Sequence, residues 1–270
     1  MRARVLLLAV LALAAMGSAG AATGTSRLVR VVEREGGVTA TLSYRATTYY
    51  TYRPTLSVRR KGRVVLTHRL CPIDWVSPKG PCAWEGPDTW LFMKQGRLAF
   101  RNVGEHGTPA VVVDLWLGGA HCCEETFMAL LGSPPAWIVR DWGNPGYRGR
   151  RIGGRYYFVS GDDRFSYAFA AYAFSWFPPQ IWTIRDERLV NVTKALPALV
   201  AANARRAWRR YLGARSDPAQ AHGLGALAGW CADEFLLGRG AHCEQVLQRA
   251  GPAGFVRKLN RDLERWGYES

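Results

Sequence analysis

The densest ligand-capable chemistry in the chain is the run His121-Cys122-Cys123-Glu124-Glu125, which follows the glycine pair Gly118-Gly119. Thiolate and imidazole together suit a soft ion such as copper(I) or zinc, and a thiol beside an imidazole also suits nucleophilic or redox chemistry. Adjacent cysteines do not easily both reach one tetrahedral ion, and structural zinc sites space their cysteines by two or more residues. The favoured reading of His121, Cys122 and Cys123 is therefore structural, with a tight Gly-Gly turn and the two sulfurs closed on each other or on neighbours. Three carboxylates complete the candidate cluster. Asp114 lies inside the apolar run Val111–Leu117, where burial demands a hydrogen-bond partner, and the following Gly-Gly turn is the expected one. Asp162 and Asp163 are neighbours that would point to opposite faces of a strand, so the expectation is a turn in which Arg164 pairs with one of them.

The setting of the sulfurs depends on compartment. Residues 1–22 read as a secretory signal: Arg2 and Arg4 precede the short apolar stretch Val5–Met16, and a run of small residues ending at Ala22 offers cleavage positions. After residue 16 no apolar run approaches the roughly 20 residues of a membrane helix, so no transmembrane segment is expected in the mature chain. An exported protein, periplasmic or extracellular, meets an oxidising milieu, where six cysteines read as a disulfide set. Proximity favours Cys71 with Cys82 and Cys231 with Cys243. Cys122 and Cys123 are left as a vicinal bridge or as thiols.

Charge narrows the partners. The chain carries 36 Lys and Arg against 21 Asp and Glu, a formal net charge of +15, and loss of the leader leaves +13. Residues 27–70 hold ten basic residues and two acidic ones, whereas residues 71–139 hold four and seven. A basic N-terminal third suits an anionic envelope polymer or another envelope protein. Nucleic acid is not expected, since no basic-aromatic recognition motif is present.

The elements that must position these groups change character at Pro197. Upstream, short strands alternate with Gly, Pro and Asn turns; Thr55–Val58 and Val64–Thr67 flank Arg60-Lys61-Gly62-Arg63 as a hairpin. Further strands are expected at 89–93, 97–101, 111–117, 126–131, 136–142, 155–160, 165–174, 180–184 and 188–192. Downstream, helices are expected from Pro197 to Leu212, from Pro218 to Leu237, and over 241–250 and 252–266. The aromatic alternation Phe165, Tyr167, Phe169 reads as one buried strand face. The division is thus a signal peptide (1–22), a β-rich region (23–196) and a helical C-terminal subdomain (197–270).

Two segments, Leu98–Asp114 and Gly149–Asp162, share a polar loop, a glycine, two residues and a hydrophobic strand. The pattern resembles the FG-GAP repeats of integrin-like β-propellers. The block Asp114–Cys123, containing Gly-Gly-Ala-His-Cys-Cys, resembles a signature of exported bacterial proteins that carry such repeats. The resemblance implies a fold that is mainly antiparallel β, propeller-like but partial, with an α-helical C-terminal cap. In that family the loops bind calcium through carboxylates; here Asn102, Gly104 and His106 in the first loop and Arg151, Gly153 and Tyr157 in the second replace them. Calcium needs several hard oxygen donors, so these loops are degenerate and no cofactor is expected. The reading that results is an exported, non-catalytic binding or scaffolding module of the cell envelope. The alternative is a copper- or zinc-binding or thiol-dependent enzyme centred on His121, Cys122 and Cys123.

Overall fold

The computed structural model describes residues 26–46, 51–71, 97–104, 106–116, 124–214 and 221–269. Among the described residues, twelve strands fall into three four-stranded antiparallel sheets, each a meander in sequence order. The first comprises β1 (Arg27–Glu35), β2 (Val38–Ala46), β3 (Thr51–Arg60) and β4 (Arg63–Arg69). The second comprises β5 (Arg97–Val103), β6 (Thr108–Trp116), β7 (Glu124–Leu130) and β8 (Ala136–Asp141). The third comprises β9 (Tyr147–Ile152), β10 (Arg155–Gly161), β11 (Pro179–Arg185) and β12 (Arg188–Asn191). Four helices follow: α1 (Pro197–Ala214), α2 (Ala221–Leu236), α3 (Gly240–Ala250) and α4 (Ala253–Arg265).

Side-chain alternation sorts the strands into layers. From the first sheet Ala40, Leu42, Leu56 and Val58 pack against Val111, Val113 and Phe127 of the second. The intervening residues Ala110, Val112 and Met128 face the other way and meet Phe158 and Ile184 of the third sheet. The central strands are covered on both sides, which explains the unbroken apolar run at 110–113. A third core gathers Phe165 and Phe169 with Leu227, Trp230, Leu259 and Leu263 of the helices.

The layering corrects the propeller-like expectation. The first and third sheets lie on opposite faces of the second, and α1 sits against β11. The layers therefore form an open series that ends in helices, not a ring. The repeat-like segments are hairpin turns. Gly153 and Gly154, both at positive φ, make the two-residue turn between β9 and β10, and Gly104 and Gly107 shape the one between β5 and β6. A polar stretch, a glycine and a strand is what any such hairpin looks like in sequence. Gly104 has a second role, since a Cβ there would lie 2.5 Å from the Ile184 carbonyl oxygen, where the second sheet bridges to Tyr156 of the third.

Two local expectations also change. The strand expected over 165–174 is instead a pair of short 3-10 turns, Asp163–Phe165 and Tyr172–Phe174. Phe165 and Phe169 enter the helical core, while Tyr167 is 57% exposed. In addition, Tyr147–Ile152, read as loop in the sequence, is the edge strand β9. The signal peptide, the strand at 89–93, and the segment containing His121, Cys122 and Cys123 lie outside the described residues.

Helix α2 carries glycines where another layer presses on it. A Cβ at Gly225 would sit 2.2 Å from the Phe174 carbonyl oxygen, and one at Gly229 would sit 2.6 Å from Cδ1 of Trp176. Glycine to alanine inside a helix ordinarily gains about 1 kcal/mol. At Gly225 the sign reverses: Gly225→Ala is expected to destabilise by about 2 kcal/mol, because the obstacle is backbone and does not yield by a rotamer change. Urea unfolding of that single variant checks this, and an unchanged or raised midpoint contradicts the packing described.

Candidate functional site

The carboxylates singled out in the sequence fall into two networks. Asp114 on β6 lies opposite Thr126 of β7. Its Oδ1 accepts from the Thr126 hydroxyl at 2.7 Å and from the Tyr147 hydroxyl at 2.9 Å. Thr126 in turn accepts from the Trp142 indole N–H at 2.8 Å. The partners of Asp114 are thus side chains on neighbouring strands; the Gly118-Gly119 turn expected to serve it lies outside the described residues. Burial pushes the Asp114 carboxyl above its ordinary range, against the hydrogen bonds from Thr126 and Tyr147 and the charges of Arg97 and Arg101. Burial likewise pushes the Tyr147 hydroxyl up, assisted by the neighbouring Asp114 charge. Tyr147 is therefore a hydrogen-bond donor and not a base.

Asp162 follows β10 and is 2% exposed. It caps the 3-10 turn that follows by accepting from the Arg164 backbone N–H, and its carboxylate also takes Nε and Nη2 of Arg164 in a forked pair. The Tyr268 hydroxyl donates to the same carboxylate at 2.8 Å. Arg164 further donates to the Trp266 carbonyl at 3.2 Å and lies over the Trp266 ring. One buried carboxylate thereby ties the third sheet to the C-terminal tail. Burial, reinforced by Asp162, holds the Tyr268 hydroxyl well above its ordinary range, so it stays protonated.

Asp163 turns away from Asp162. Its Oδ1 accepts from Ser166 at 2.6 Å and from the Asn144 amide at 3.3 Å. Gly143 passes so close that a Cβ there would meet the Asp163 carboxylate at 2.3 Å. Gly143, Asp162 and Asp163 border a pocket of about 310 Å³ that Arg140, Asp141 and Gln180 also line. Arg140 stacks on Trp182, its guanidinium carbon 4.2 Å from the ring centroid. A second cleft of about 470 Å³ shares Arg164 and Gln180 with the first and continues along Lys194, Leu236 and Trp266. In the smaller pocket cations and carboxylates alternate, and each of the two aspartates carried over from the sequence already accepts hydrogen bonds. The bonds of Asp163 tie the segment of Asn144 to the turn that contains Ser166.

Cys231 and Cys243 are joined by a disulfide with a Cα–Cα distance of 5.1 Å. Cys71 is also disulfide-bonded, while Cys82, Cys122, Cys123 and His121 lie outside the described residues. Among the described residues no group of three or more His, Cys, Asp or Glu could hold a metal ion, and no helix is long and apolar enough to cross a membrane.

Sequence reasoning missed Tyr268, Tyr147, Arg140 and Asp233. Asp233, on α2, is fully buried; its Oδ2 accepts from the Asn203 amide at 2.9 Å, and its Oδ1 has no partner. The signal in the sequence is the acidic pair Asp233-Glu234 inside a largely apolar helix. Burial holds the Asp233 carboxyl well above its ordinary value of 3.8, with Glu234 adding to the rise and Asn203 and Arg206 opposing it. The folded state keeps this proton over a pH window that opens near 3.8, where the unfolded chain has already released it. The stability contributed by this group therefore falls as pH rises through that window. Asp233→Asn keeps an acceptor for Asn203 and removes the titration. The variant is expected to match or exceed the wild type at pH 7 and to lose that advantage toward pH 4, by about 1.4 kcal/mol for each unit of raised pKa. Urea midpoints across this range check it; a wild type more stable than the variant at pH 7 contradicts it.

Compared with known proteins, the chain is 28% identical over 169 residues to a probable thylakoid lumen protein of Synechocystis. The match covers 59% of this chain and 44% of that relative. No family model matches the chain, and no solved structure matches it. The FG-GAP resemblance therefore has no support from a family model, and the three sheets are not closed into a propeller.

Proposed function

We propose that the protein is an exported, non-catalytic binding module that engages an anionic partner outside the cytoplasm. The observation that carries this reading is the uneven charge: residues 27–70, which supply the first sheet, hold ten basic residues and two acidic ones. Cations concentrated on one layer attract a polyanion over distances set by the ionic strength. The secretory character of residues 1–22 supports the compartment, and so does the likeness to a thylakoid lumen protein. The buried carboxylates support a non-catalytic role, because Asp114, Asp162 and Asp163 are each engaged in bonds between structural elements.

Fractionation of the native host tests the reading. The protein is expected in the extracytoplasmic fraction, bound to envelope material and released by about 1 M salt, where screening reaches about 3 Å. Recovery from the cytosol, or envelope association indifferent to salt, overturns it.

A further inference from the structure

On the first sheet, the residues that alternate with the buried set Ala40, Leu42, Leu56 and Val58 must point away from the second sheet. The pairing register arranges them in rows across the strands. One row runs Arg34, Thr39, Arg59, Val64, and another runs Arg30, Ser43, Thr55, Arg69. Between them lies Val32, Thr41, Ser57, Thr67. Arginines thus stand on β1 and β3 in the first row, which Val64 ends on β4, and on β1 and β4 in the second, with hydroxyls between them. The two acidic residues of β1, Glu33 and Glu35, belong to the opposite set, in register with Ala40 and Val38. Among the described residues, these register positions of the outward face carry guanidinium groups and no carboxylate. Arg30, Arg34 and Arg59 are exposed.

We propose that this face binds an acidic polysaccharide, with the rim arginines taking its carboxylate or sulfate groups and the central hydroxyls meeting its sugar hydroxyls. The proposal rests on the reading that the partner is anionic, and adds the surface and the partner's class. A guanidinium presents parallel N–H donors that match a carboxylate or sulfate edge. Facing arginines stand about 10 Å apart in the first row and about 14 Å in the second, at about 4.8 Å per strand. The arginine rows are about 13 Å apart along the strands, four residues at about 3.3 Å each. Charges so spaced fit a repeating polymer better than one small anion. Single-stranded nucleic acid is held by stacking its bases on aromatic rings, whereas threonine and serine occupy the middle of this face. The exposed apolar side chains of this face, Leu28, Val32 and Val64, are separated by arginine and threonine and do not form the continuous apolar face with which an amphipathic helix enters a bilayer.

The test is binding of the full mature protein to immobilised alginate, with neutral dextran as the blank, across a salt series. Two quadruple variants remove the same charge: Arg30, Arg34, Arg59 and Arg69 to Gln on the face, and Arg148, Arg150, Arg209 and Arg210 to Gln elsewhere. The face variant is expected to bind alginate at least about tenfold more weakly with a shallower salt dependence, and the control to stay within about twofold of wild type. The isosteric pair Thr39→Val and Thr41→Val, which leaves charge untouched, is expected to weaken binding about threefold. Thermal midpoints confirm that each variant is folded. If wild type binds alginate but both quadruple variants weaken it equally, the face is wrong and the anionic-partner reading survives. Tighter binding to vesicles of equal phosphatidylglycerol and phosphatidylcholine, or to single-stranded DNA, overturns the polysaccharide class. No binding to any of these polyanions overturns both.

Discussion

Replacing Cys231 and Cys243 together with alanine is expected to destabilise the protein by about 3 kcal/mol. The bridge closes a separation of 12 residues between α2 and α3, and both sulfurs are fully buried. Constraint of the unfolded chain supplies most of that figure for a loop of this size. The helices have few other ways to hold their register. The α2–α3 corner otherwise rests on Trp230 and Leu247 in the core and on Glu234, which is buried and pairs with Arg239 and His242. The double variant should lower the thermal midpoint by about 10 °C. A shift below about 2 °C would place the stability of the corner in packing alone.

Asp162→Ala is expected to cost about 3 kcal/mol, because it removes the forked pair with Arg164 and leaves the Tyr268 hydroxyl buried without an acceptor. Arg164 is 42% exposed at its side chain and turns to water, which keeps the cost below that of a fully buried broken pair. Tyr268→Phe should cost about 1 kcal/mol, since one hydrogen bond is lost and the apolar body stays. The two changes share a contact, so the double variant should be less destabilised than the sum of the singles by about 1 kcal/mol. The tail beyond α4 should also become accessible to carboxypeptidase in the Asp162→Ala variant. Strict additivity, with an unchanged tail, would show that Asp162 serves only its own turn.

These two predictions differ in how far the sequence announces them. The Cys231–Cys243 bridge follows from spacing between two helical patterns. The Asp162–Tyr268 bond spans 106 residues, and nothing in a neighbour-by-neighbour reading joins them. The same divide runs through the fold. The hairpin at Lys61-Gly62 is legible because a two-residue turn requires positive φ at both positions, and both residues have it. The helix opened by Pro197 is legible because a proline at the first turn has no N–H to lose. The stretch Phe165–Phe169 misleads, because residues at i and i+4 also satisfy a period of two. Here they cluster through a loop held by Asp162 and Asp163 caps and enter the helical core.

Strand β9 is hidden for a related reason. Its residues Arg148, Arg150 and Arg151 are exposed on an edge, so no apolar alternation marks it. Layer order is illegible as well. Whether three meanders close on one another or stack in series depends on what covers the last of them, and α1 against β11 decides that. The repeat-like loops carry the polar stretch, glycine and strand of any hairpin. As hairpin turns bordered by glycines they say nothing about closure.

The most direct test of an exported, bridged binding module against a thiol-based enzyme is intact mass. The protein is taken from its native host, alkylated under denaturing, non-reducing conditions, and weighed. The expected product is a chain shortened by the leader with no alkyl group on any of the six cysteines. A chain that retains Met1 and takes up alkyl groups at Cys122 and Cys123 would contradict it, and would move the chemistry of the protein to His121 and its neighbouring thiols.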